Sequence, residues 1–232
     1  IEINTDPSGQ TSFPTTPFDV TGLEAFTALT KLVLVPLTSS VGYLQNLDVS
    51  QNIALTYLDC NNNQLTSLDV SNNTALIYLN CALNYLTSLN VSGCTNLTFL
   101  NCSKYGGNFP QPNQVGNLLT SLDVSTNTSL DTLYCSDNLL TSLVVNGATA
   151  LTYLNCYNNQ LTSLDISGAT ALTDLNCYNN QLTSLVVNGA TALTELRCYD
   201  NQLISLVVNG ATALATLMCY DNQITSLDVS GA

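Results

Sequence analysis

Eight of the nine cysteines recur on one spacing. Cys60, Cys81 and Cys102 lie 21 residues apart, as do Cys135, Cys156, Cys177, Cys198 and Cys219; the one longer gap, 33 residues, is a full period plus a 12-residue insertion. A period of roughly 20–50 residues marks a solenoid, in which a single unit is too small to enclose a core and stability comes from stacking. The unit reads L-x-x-L-x-C-x-x-N-x-L-T-S-L-D-V-S-x-x-T-x, with Leu151 to Ala171 a clean copy. With its first leucine as position 1, copies start at Leu55, Leu76, Leu97, Leu130, Leu151, Leu172, Leu193 and Leu214. A degenerate copy starts at Leu29, with Leu34 in the cysteine place and a 5-residue insertion before Leu44. The domain reading is therefore an N-terminal cap over 1–28 and nine coils over 29–232, with an insertion at about 103–117.

Within a coil, apolar positions 4 and 6 alternate with positions 3, 5 and 7, the period-2 pattern of a short strand with one face in the core. Leucines and valines at 11, 14 and 16 point back inward from the opposite side, and Asn and Gly punctuate the turns. Parallel stacking at about 4.8 Å per coil makes a rod roughly 40 Å long. The asparagine at position 9 recurs at 63, 84, 138, 159, 180, 201 and 222, with Asn117 in the same place once the insertion is allowed for. An inward amide there donates to one coil and accepts from another, which a stacked row of buried carboxylates could not do.

Composition then narrows function. The 232 residues carry 16 Asp and Glu, 3 Lys and Arg and no His, a net charge of −13. Lys31, Lys104 and Arg197 cannot neutralise a phosphate backbone, so no nucleic-acid partner is expected. Without histidine, Ser-His-Asp and Cys-His catalysis and histidine metal sites are unavailable. The cysteine spacing matches no zinc pattern and the aspartate rows match no calcium loop. No catalytic residue, metal or cofactor is expected. Core-facing cysteines read as small hydrophobes in a reduced ladder, and Cys94, in a turn at position 19, as an unpaired thiol. The longest apolar run, Leu32 to Leu37, is strand-sized, so membrane insertion is not expected. The first residue is not Met, which reads as a mature or trimmed product. The C-terminal end breaks off mid-repeat at Ser230, Gly231 and Ala232, which reads as truncation or as an edge that pairs with a second molecule.

The L-x-x-L-x-C-x-x-N-x-L core over residues 29–232 resembles the leucine-rich repeat family. Its 21-residue period with Cys for the second Leu resembles the internalin subtype that carries a cysteine ladder, and repeat proteins secreted or displayed by Gram-negative bacteria. The resemblance implies a right-handed leucine-rich repeat solenoid, with a parallel β-sheet on a concave face that binds protein or glycan. The L-D-V-S segment predicts a convex side that is mostly extended or turn, with little helix and low curvature.

Candidate binding residues follow from the outward positions. Position 3 carries Tyr57, Tyr78, Phe99 and Tyr153, then turns polar; position 7 begins small and then runs Tyr157, Tyr178, Tyr199 and Tyr220; Tyr134 sits at position 5 between the two runs. Tyr with Asn and Gln is recognition chemistry, giving area and adaptable hydrogen bonds at low entropic cost. Arg197 lies on the same face, and Tyr105 and Phe109 in the insertion add contact chemistry. The reading is a non-catalytic binding module of a secreted or surface-exposed bacterial protein. It recognises a protein or glycan through this face and the 103–117 loop. The alternatives are a structural spacer or adhesin stalk, or ice binding through the position-12 threonine column that includes Thr141, Thr162 and Thr183.

Overall fold

The computed structural model describes residues 20–36, 44–104 and 116–230. Among these, every coil contributes one three-residue strand at positions 3–5. The strands are β1 (Lys31–Val33), β2 (Tyr57–Asp59), β3 (Tyr78–Asn80), β4 (Phe99–Asn101), β6 (Thr132–Tyr134), β8 (Tyr153–Asn155), β10 (Asp174–Asn176), β12 (Glu195–Arg197) and β14 (Thr216–Met218). They form one nine-stranded parallel sheet whose neighbours are successive coils. Register is strict, with Tyr57 beside Tyr78 and Leu175 beside Leu196. It survives the insertion: β4 pairs directly with β6, Leu100 beside Leu133. The chain thus leaves and re-enters without shifting a side chain out of its column.

The opposite side is extended, as expected. Six further strands, β5 (Ser121–Asp123), β7 (Ser142–Val144), β9 (Ser163–Asp165), β11 (Ser184–Val186), β13 (Ser205–Val207) and β15 (Ser226–Asp228), pair in parallel as β5–β7, β9–β11 and β13–β15. The one helical element among the described residues is a 3-10 turn, Leu23–Ala25. It falls in the segment read from sequence as the N-terminal cap. Asn52 ties it to the first coil, its Nδ2 donating to Leu23 O at 2.9 Å and Phe26 O at 3.0 Å. Residues 1–19 of the expected cap lie outside the described residues.

The core is a stack of identical layers. In the coil starting at Leu151, that leucine and Leu154, Cys156, Leu161, Leu164 and Ile166 are all buried, as the pattern requires. A seventh position also points inward, and here the sequence reading needs correcting. Position 19, taken for a turn site at Cys94, is a buried column: Asn52, Asn73, Cys94, Asn127, Ala148, Ala169, Ala190 and Ala211. Cys94 is fully buried, its Sγ 3.4 Å from Val70 O. Asn73 and Asn127 each donate twice to carbonyls of the preceding coil.

The position-9 asparagines do form the expected ladder. Asn159 donates from Nδ2 to Cys135 O in the preceding coil at 3.1 Å and to Cys156 O in its own at 3.0 Å; its Oδ1 accepts from Leu140 N–H at 3.0 Å. Asn117 repeats the pattern with Cys81, Cys102 and Leu86, which fixes where the repeat resumes after the insertion. Both halves of each amide thus reach back to the preceding coil. That pins the turn after every strand and satisfies backbone groups that the sheet leaves open.

All nine cysteines are free thiols, eight of them buried and Cys219 half-buried. Burial pushes the Cys156 thiol up to about 12 and the Cys94 thiol to about 11. Thiolates, the reactive species, are therefore suppressed at the buried cysteines.

Candidate functional site

The strand face carries side chains from positions 3, 5 and 7 in straight columns, because each strand sits directly over the last. Tyr57, Tyr78 and Phe99 stack as one pile, with centroids 4.2 Å apart at 1° and then 4.5 Å apart at 4°. Tyr157, Tyr178, Tyr199 and Tyr220 form a second pile in the neighbouring column, at 4.5–4.6 Å and 7–9°. Tilted contacts extend the first pile, Phe99 to Tyr134 at 5.9 Å and Tyr134 to Tyr153 at 5.2 Å. Tyr153 and Tyr157 share a coil, so the aromatic ridge changes column there.

Sheet geometry sets this arrangement. Parallel in-register strands bring identical side chains to about the strand spacing of 4.8 Å, which is close to ring-stacking distance. Where small residues occupy position 7, as at Ala82, Ser103 and Ser136, the column is buried instead of outward. This differs from the outward placement read from the alternation. The larger position-3 rings beside them fill the surface.

Polar groups support the second half of the ridge. The Arg197 guanidinium ion-pairs with Glu195 and donates to Asn176 Oδ1 at 2.9 Å. Asn176 in turn donates to the Tyr153 hydroxyl at 3.2 Å. Arg197 thereby fixes which way the Asn176 amide points, and through it the environment of Tyr153. No sequence signal marked this network, because its members sit in three separate coils. At the other end of the face, the Lys31 ammonium lies 5.2 Å from the Tyr57 ring centroid, within cation–π range.

Position 8 follows the strand and turns through the left-handed region, with φ from 50° to 59° at Asn62, Leu83, Asp137, Asn158, Asn179, Asp200 and Asp221. Asn and Asp tolerate this conformation better than other L residues. Much of the Asn and Asp content read as recognition chemistry is thus explained by the turn. Asn179 donates to Asn158, and Asn158 to Asp137 Oδ1 at 2.7 Å. Burial raises the Asp137 carboxyl above the ordinary range, against the lowering pull of Asn158. Asp200 cannot donate onward, so the side-chain chain stops, and Asp200 and Asp221 stand exposed. Asp137, Lys104 and Asn158 border a cavity of about 190 Å³ at the root of the insertion. Tyr105 and Phe109, assigned to the candidate site from sequence, lie outside the described residues.

In the convex position-12 column, Thr141, Thr183 and Thr225 donate their hydroxyls to backbone carbonyls of the preceding coil at 3.2–3.4 Å. Among the described residues no cluster of three or more His, Cys, Asp or Glu is arranged to hold a metal, and no helix is long and apolar enough to cross a membrane.

Stacked coils of L-x-x-L-x-C-x-x-N-x-L with one continuous parallel sheet define a leucine-rich repeat solenoid with a cysteine ladder. The family model described as "Leucine Rich repeats (2 copies)" matches residues 149–189. The functional domain of InlJ from Listeria monocytogenes, a structure that includes a cysteine ladder, is 43% identical over 92% of this chain and 44% of its own, with a TM-score of 0.76. The chain belongs to the leucine-rich repeat family of the internalin type. It spans less than half the length of that InlJ structure. The internalin inlF of Listeria monocytogenes (22% identical, 90% of this chain and 64% of that one, TM-score 0.68) shares the fold, as does the Leptospira interrogans protein LIC12759 (21%, 92% and 75%, TM-score 0.51). Among curated proteins none matches this chain.

Proposed function

We propose that this chain is a non-catalytic binding module of a secreted or cell-surface bacterial protein, and that it recognises a protein or glycan ligand through the strand face. The observation that carries the reading is the two aromatic runs, Tyr57 to Tyr153 and Tyr157 to Tyr220, mostly half-buried along a sheet whose core needs none of them. Surface rows of tyrosine offer contact area with a polar tip, the chemistry enriched at protein interfaces. The internalin-type relationship supports it, since domains of this kind are generally protein-binding modules. The absence of histidine and the suppressed thiolates speak for binding over chemistry.

The test is a screen of the purified chain on arrays of host ectodomains and glycans, repeated with the Tyr157→Ala/Tyr178→Ala double variant. Binding by the parent chain that the double variant loses, with its melting temperature kept within a few degrees, supports the reading. Undiminished binding by the double variant removes the ridge from it.

A further inference from the structure

The stacking geometry decides which part of each tyrosine a ligand can reach. Rings 4.5–4.6 Å apart and within 9° of parallel cover one another's faces. Only ring edges and hydroxyls of Tyr178 and Tyr199 remain open to solvent. A pyranose that binds by lying flat on an aromatic face finds no face there. What remains is a row of hydroxyls and positively polarised ring edges, with carboxylates on both sides. Asp174 and Glu195 lie in the position-3 column on one flank, and Asp200 and Asp221 in the position-8 column on the other.

Charge separates this half of the face from the other. Arg197 is the one cation in the sequence beyond Lys104, and it is engaged by Glu195 and Asn176. The first pile, by contrast, has Lys31 over its outermost ring, and a single carboxylate, Asp59, in a column that continues as Asn80 and Asn101. The convex carboxylates differ again, since each is tied to its own turn: Ser71, Ser125 and Ser167 N–H donate to Asp69, Asp123 and Asp165 at 2.8–2.9 Å. Asp200 and Asp221 have no such tie among the described residues, and their charge adds to desolvation and neighbouring Tyr199 in raising the Tyr220 hydroxyl pKa.

We infer that the Tyr157–Tyr220 half of the strand face docks a basic segment of a protein partner. The partner's Lys or Arg side chains meet the Asp174, Asp200 and Asp221 carboxylates while its backbone and apolar stems lie along the tyrosine edges. This rests on the binding reading above and names its partner class. Such recognition steers encounter, fixes register and weakens with salt.

The test compares two triple variants with the same change in net charge. Asp174→Asn/Asp200→Asn/Asp221→Asn neutralises the ridge flanks; Asp69→Asn/Asp123→Asn/Asp165→Asn neutralises the convex face. Asn already occupies equivalent places, Asn158 and Asn179 at position 8 and Asn90 in the convex turn, and position 3 takes a neutral polar residue at Thr132 and Thr216, so both variants place side chains of a kind these columns already hold. The probe is a fluorescein-labelled peptide of alternating lysine and serine, read by anisotropy from low to high salt, beside an uncharged glycine–serine peptide. The expected result is saturable, salt-sensitive binding of the lysine peptide, weakened about tenfold or more by the ridge triple and less than twofold by the convex triple. Equal losses in both triples, or no saturable binding by the parent chain, overturn the inference. Array ligands lost with Tyr157→Ala/Tyr178→Ala but retained by the ridge triple would overturn it too, while leaving the binding module standing.

Discussion

Leu83 is the residue most at odds with its place. It occupies position 8 at φ 55°, in a column otherwise filled by Asn and Asp among the left-handed residues. A leucine there carries the Cβ–carbonyl crowding that disfavours left-handed backbone by about 1–2 kcal/mol. Its side chain is only half-buried, so little packing is lost on replacement. Leu83→Asn is expected to raise stability by about 1 kcal/mol, seen as a higher denaturant midpoint with an unchanged slope. The same column teaches caution about composition. For Asp137, Asn158 and Asn179 the first duty is conformational.

At the scale of the coil, two turn chemistries alternate on the convex side. Where the sequence reads D-V-S, the aspartate accepts from the backbone N–H two residues on, as Asp123 does from Ser125 at 2.8 Å. Where it reads V-V-N-G, valine cannot accept, and glycine takes up the turn with positive φ at Gly147, Gly189 and Gly210. Gly147 and Gly189 differ in the space around them. A Cβ on Gly147 would lie 2.2 Å from Ser125 O, whereas at Gly189 the nearest such atom is 3.8 Å away. Gly189→Ala is therefore expected to cost about 1 kcal/mol from backbone strain alone. Gly147→Ala should cost roughly twice that or more, because a backbone must also move. Paired thermal melts measure the difference.

This scale also shows what was legible. Strand positions, register, the core leucines and the Asn159-type ladder followed from period and polarity, since a repeat turns one inference into nine. Position 19 was missed because Asn73, Cys94 and Ala148 share no polarity; only their small size unites them. The Arg197–Asn176–Tyr153 relay was illegible because its contacts run across coils, where side-chain direction decides.

For the whole molecule, charge sets the pH response. Asp59 and Asp137 have raised pKa values, chiefly from burial, so between the unfolded value near 3.8 and their folded values the native state binds more protons. Their contribution therefore grows as pH falls through that window and weakens as pH rises. The exposed Asp48, Asp69 and Asp165 are lowered by backbone hydrogen bonds from Ser50, Ser71 and Ser167, so their support fades only below about 3.8. Acidification also relieves the self-repulsion of a chain at −13. Thermal stability should rise from pH 7 to about pH 4–5 and fall below it. A melting profile highest at neutral pH would contradict this assignment.

The nine unpaired thiols have a consequence for the lifetime of the protein. Eight of them are protected by enclosure, and Cys219 in the last coil is only half enclosed. A molecule that opens along its length releases the ladder to solvent at once, and in oxidising surroundings the first wrong sulfur–sulfur bond to form blocks its return. Keeping the coils stacked is therefore also what keeps these thiols out of reach of oxidants.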